Sequence, residues 1–153
     1  MATLTKVSDY IGLYQPEEFG VSDASALEDI IRAAIGAARL TLLQVVPEST
    51  YNDAVSAFAS GSQSDDQEAL RWAEYWYTRY NLEGHKVDSD VIEEQAGWLR
   101  IRRDPELALA NRRSFLTKAT HYLKLAGYEL GGGAVAGVRG GDPLPPRTPW
   151  FSG

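Results

Sequence analysis

Histidine occurs twice in the 153-residue chain, at His85 and His121, and cysteine does not occur. Without thiols there is no disulfide, no thiolate zinc site and no cysteine nucleophile. Thirty-six positions separate the two imidazoles, which matches no compact ligand spacing, so each is read as structural or exposed. Asp88, Asp90, Glu93 and Glu94 form an acidic group that would suit calcium or an acid–base pair. The group lacks the glycine and the twelfth-position glutamate of an EF-hand loop, and helix caps and first-turn charges explain it more simply. Gly131-Gly132-Gly133-Ala134-Val135-Ala136 fits a GxGxxA pattern, but it follows a helical stretch and no helix follows it, so the dinucleotide reading fails on context. A Walker lysine, a GxSxG elbow and an HExxH pair are missing from the sequence. The expectation is a protein without catalytic residues, metal or cofactor.

Charge narrows the classes further. The net charge is −6, with 21 acidic and 15 basic side chains, which disfavours broad neutralisation of a phosphate backbone. Arg100-Ile101-Arg102-Arg103, with Arg112 and Arg113 after it, is the one positive concentration. It reads as ion pairs or a partner-facing patch, and a nucleic-acid contact is the sharper alternative. Residues 1–19 contain no apolar run and no stretch reaches spanning length, so neither signal peptide nor membrane span is expected and synthesis is placed inside the cell.

Helical periodicity must then supply the scaffold. Apolar residues recur at helical spacing from Asp23 to Val46, with Ser22, Asp23 and Ser25 as competing caps and Pro47 as the stop. A short helix is expected over Thr50–Ala59 before Gly61. Asp65 with Glu68, or Ser64 with Gln67, caps a helix that reaches Leu82 and ends at Gly84. In it, Trp72 and Tyr75 fall off the main stripe of Leu70, Ala73, Trp76, Tyr77 and Tyr80, so they are expected to meet another helix or another chain. A further segment opens near Asp88-Ser89-Asp90 and carries Val91, Ile92, Trp98 and Leu99. Asp104-Pro105-Glu106 opens the last long helix, with Phe115, Ala119, Tyr122 and Ala126 in line, Leu109, Leu116 and Leu123 widening the stripe, and Gly127 as its closing residue.

After Leu130 six glycines and four prolines in 19 residues exclude a packed helix or central strand. The 23 residues from Gly131 are expected to form an extended arm, and Arg147-Thr148-Pro149-Trp150-Phe151 reads as its docking segment. The fold expected is therefore all-α: an N-terminal extension (1–22), a small antiparallel helical bundle (23–130) and a long Gly/Pro-rich arm (131–153).

That layout resembles the head-to-tail connector, or adaptor, proteins of tailed bacteriophages. The resemblance runs from Asp23 to Gly153 and is one of architecture more than of motif. Its most telling parts are Ala69-Leu70-Arg71-Trp72-Ala73-Glu74-Tyr75, Tyr122-Leu123-Lys124-Leu125-Ala126-Gly127 and Arg147 to Gly153. It implies a structural virion protein of the head–tail neck, made in the host cytoplasm. Such a subunit forms a dodecameric ring beneath the portal, and its C-terminal arm docks on the portal protein. A tail or head-closure protein binds downstream, and DNA passes through the channel without specific binding. On that basis Arg147, Pro149, Trp150 and Phe151 are the expected portal-docking residues, with Trp72 and Tyr75 as a candidate subunit interface. A head-closure or tail-completion protein and a helical regulatory or nucleic-acid-associated protein are the competing expectations.

Overall fold

The computed structural model describes residues 2–86 and 105–130, and the chain is all-α there, with no strand among the described residues. Three short 3-10 turns, Val7–Asp9, Ile11–Leu13 and Pro16–Phe19, precede four helices: α1 (Ala24–Leu42), α2 (Glu48–Ser60), α3 (Asp65–His85) and α4 (Pro105–Leu125). The acidic group at 88–94, the segment expected around it, Arg100–Arg103 and the whole arm lie outside the described residues.

Local chemistry sets most of the helix ends. Of the three caps competing at α1, Asp23 is used: its carboxylate accepts the Ala26 N–H at 2.7 Å. The helix stops at Leu42, four residues short of the expected Val46, because the chain tightens into a turn that buries Val46 ahead of Pro47. A residue before proline is pushed out of the helical region, so the turn completes before Pro47 rather than at it. At α3 Ser64 and Gln67 form the capping box, the Ser64 N–H donating to Gln67 Oε1 at 2.8 Å. Left-handed Gly61 and Gly127 close α2 and α4, each followed by an N–H that bonds back five residues.

Gly84 does not end α3, contrary to expectation; the helix continues through it to His85. The guanidinium of Arg112 from α4 lies where a Cβ would stand, 2.6 Å from Nη2, so this glycine serves the approach of another helix.

α3 is central, packing antiparallel against α1 on one side and α4 on the other. One core cluster joins Ala38, Leu42, Tyr51, Leu70, Ala73, Tyr77, Ala119 and Leu123. A second joins Leu27, Ile31, Ile35 and Leu82 to Tyr10, Tyr14 and Phe19. The residues read as an N-terminal extension thus supply three aromatic walls of the second cluster and, through Leu4, part of the first. Leu109 and Leu116, expected to widen the α4 stripe, are instead 49% and 37% exposed. Ala69 and Ala73 of α3 share the first core cluster with Ala119 of α4 and Ala126 just after it, and small side chains there let the two backbones approach along the α3–α4 seam. Ala119→Leu is therefore expected to lower stability by about 1–3 kcal/mol through overpacking, read as a lower urea midpoint; an unchanged midpoint would mean that the seam has room.

Candidate functional site

The aromatic residues of α3 and α4 stack into one continuous strip. Trp72 stacks on Tyr122 with ring centroids 6.1 Å apart and meets the edge of Tyr75 at 5.4 Å. Tyr75 meets Trp76 edge-on at 5.0 Å, and Trp76 lies against Phe115 at 5.3 Å. Cations cover this strip: Lys118 stands 4.4 Å over the Trp76 ring and Arg79 4.6 Å over Phe115.

The two residues expected to meet a second surface divide here. Tyr75 finds it within its own chain, stacked on Tyr10 at 5.2 Å with ring planes only 17° apart. Trp72 leaves 38% of its surface open, in spite of its contacts with Tyr75 and Tyr122. An indole already stacked on one face is held still, so burying its open edge against a partner costs little side-chain entropy. Arg79 locks the inner part of the strip: its Nε donates to the Tyr14 hydroxyl at 2.8 Å and its Nη1 to the Tyr75 hydroxyl at 3.3 Å. Burial pushes the Tyr14 phenol up to about 12, partly offset by the adjacent guanidinium.

Beneath the strip lies a feature that sequence reasoning missed. Glu74 is fully buried, and its Oε2 accepts both the Thr5 N–H and the Thr5 hydroxyl, each at 2.7 Å. Its Oε1 accepts the Tyr51 hydroxyl, which in turn accepts the Leu4 N–H at 3.1 Å. Burial raises the carboxyl above the ordinary glutamate value, while the donors from Thr5 and Tyr51 work in the opposite direction. Burial likewise raises the Tyr51 phenol, with the charge of Glu74 adding to the shift. Both oxygens accept from donors of the same chain, so this carboxylate clamps the N-terminal segment onto α2 and α3. A signal for it existed. Leu70, Ala73, Glu74 and Tyr77 occupy the i, i+3, i+4, i+7 face of α3, and an acid at the third of those positions must be buried with donors supplied from elsewhere.

His85 is exposed at the end of α3, and His121 is exposed on α4 with its ring edge-on to Tyr122. Among the described residues no three His, Asp or Glu side chains are grouped to hold a metal ion, and no helix is long and apolar enough to cross a membrane. Arg112, half of the expected basic patch on α4, is drawn inward: it stacks 4.2 Å over Tyr80 and donates to the Tyr80 carbonyl at 3.3 Å. Arg147, Pro149, Trp150 and Phe151 lie outside the described residues. Comparison of the chain with family models, curated proteins and solved structures finds no match.

Proposed function

We propose that this chain is a structural subunit of a phage head-to-tail connector: an adaptor that forms a ring of its own copies beneath a portal, docks there through Arg147, Pro149, Trp150 and Phe151, and carries the DNA channel toward the tail. The observation that carries it is the held but uncovered indole of Trp72 on the α3–α4 seam, a surface suited to a neighbouring subunit. Charge distribution supports head-to-tail repetition. Residues 2–86 hold 13 acidic and six basic side chains, whereas residues 109–130 hold four basic and one acidic. An acidic body joined to a basic last helix would favour a heterologous contact, the kind that closes into a ring. An acidic body beside a DNA channel would let the duplex slide rather than adhere.

Quantitative mass spectrometry of purified particles tests the proposal. About one copy per portal chain, retained through high-salt washing, is the expected result; absence of the chain from the particle would overturn it. Removing Gly140–Gly153 should leave the helices folded and abolish retention on the portal, and undiminished retention would refute the role given to the arm.

A further inference from the structure

A cleft of about 330 Å³ opens between the N-terminal segment and the middle of α1, within the size range of small-molecule sites. Val7 and Ile35 give it apolar walls, and Gly36 leaves a gap in the α1 surface there. That glycine has no other explanation in the fold. It stands inside a 19-residue helix, where glycine is less stable than alanine, and its φ is not positive. A Cβ at Gly36 would meet nothing within 4 Å, unlike one at Gly84, whose space Arg112 takes. Neither a turn nor a packed neighbour requires the missing side chain, so what glycine preserves at this position is the open space of the cleft.

We infer that this cleft binds a small aliphatic carboxylate, its charge held by Lys6 and Arg32 and its hydrocarbon end resting on Val7, Ile35 and the bare backbone of Gly36. Charge selects the anion: Lys6 and Arg32 line the cleft, and no acid does. The acids nearby are already engaged, Glu28 and Asp29 by Arg32 at 4.0 and 2.9 Å, and Glu74 by the donors of Thr5 and Tyr51. Asp9 accepts the Lys6 backbone N–H at 2.9 Å and pairs with Arg71 at 3.6 Å. The Lys6 ammonium itself has no ion-pair partner among the described residues, and the Arg32 guanidinium, with five N–H groups, has donors to spare. The threonine donors are spent: the Thr3 hydroxyl donates to the Thr5 carbonyl at 2.6 Å and the Thr5 hydroxyl to Glu74. Among the lining side chains only the two cations remain as donors, which a carboxylate can use and an amine cannot. A larger cleft of about 780 Å³ also includes Lys6, but Asp9, Glu68 and Arg71 line it with both signs, and its chemistry selects no single ligand class. Binding of this kind is independent of the connector role proposed above.

Titration of the isotope-labelled full-length protein with sodium hexanoate at constant ionic strength, followed by amide NMR, tests it. The amides of Lys6, Val7 and Gly36 should shift saturably, with a dissociation constant of about 1 mM or tighter, as so small a ligand allows. Hexylammonium, the same chain with the opposite charge, should leave these amides unmoved. Lys6→Gln removes the unpaired cation from an exposed position and should weaken hexanoate about tenfold. Gly36→Leu fills the cleft from its floor and should abolish saturable binding while raising the melting temperature by a few degrees, since leucine is the better helix former and its Cβ meets no neighbour. Shifts that only grow linearly with hexanoate, an equal response to hexylammonium, or unchanged affinity in either variant would overturn the inference. Saturable shifts with inorganic phosphate and none with hexanoate would overturn the carboxylate assignment.

Discussion

Glu74→Ala is expected to lower the unfolding free energy by about 3–5 kcal/mol, whereas Glu74→Gln should cost about 1–3 kcal/mol. The alanine leaves the Thr5 N–H, the Thr5 hydroxyl and the Tyr51 hydroxyl without their acceptor in a fully buried place, and a cavity besides. Glutamine keeps an oxygen for the two Thr5 donors at the same volume and without a charge to bury, but it leaves the Tyr51 O–H, whose oxygen already accepts the Leu4 N–H, without an acceptor. The two variants also separate the pH dependence. The folded chain holds Glu74 at a raised pKa, so the folded state binds the proton more tightly than the unfolded one. Its stabilising contribution is then complete below the unfolded value near 4.5 and is lost as pH rises through the raised folded value. Urea unfolding of wild type and Glu74→Gln from pH 4 to 9 should show the glutamine variant gaining on the wild type as pH rises, other titrations cancelling in the difference. A wild type that gains on the glutamine variant toward high pH would show that the donors outweigh burial.

Trp72→Ala should leave the fold within about 1 kcal/mol of wild type and weaken each subunit contact by about 2 kcal/mol or more, roughly 30-fold. Folding has little at stake because the indole is more than a third open and its stacking on Tyr122 is one contact of a long strip. Association has much at stake, because a pre-stacked tryptophan is the kind of side chain on which binding energy concentrates. In a closed ring the loss repeats at every contact, so the expected readout is near absence of assembled rings on isolated portal at wild-type concentrations. Tyr75→Phe is the matched control: its ring faces Tyr10 within the same chain, and only a hydroxyl that accepts from Arg79 is removed. Normal ring assembly by Trp72→Ala would remove this surface from the subunit interface.

Trp72 and Tyr75 show how far spacing reaches. Periodicity placed both off the main α3 stripe, correctly, yet it treated them alike. Only the packing of the N-terminal segment separates them, because Tyr10 covers one ring and nothing among the described residues covers the open edge of the other. Glu74 shows the same limit more sharply. Its place among Leu70, Ala73 and Tyr77 announces a buried acid, but its donors come from Thr5, 69 residues away, and Tyr51, 23 residues away.

The sequence by itself determined the all-α class, the Ser64–Gln67 box as one of two caps for α3, Pro105 in the first turn of α4, and the glycines that close α2 and α4. Each of these depends on atoms within about five residues, where hydrogen-bond geometry and glycine's access to positive φ decide the outcome. Tertiary structure decided the rest: the 3-10 turns that carry Tyr10, Tyr14 and Phe19 into a core, the buried clamp at Glu74, and a Gly84 that admits Arg112 instead of ending its helix. Those outcomes turn on which distant side chain fills a space or satisfies a buried donor, and burial energies of that kind have no period along the chain.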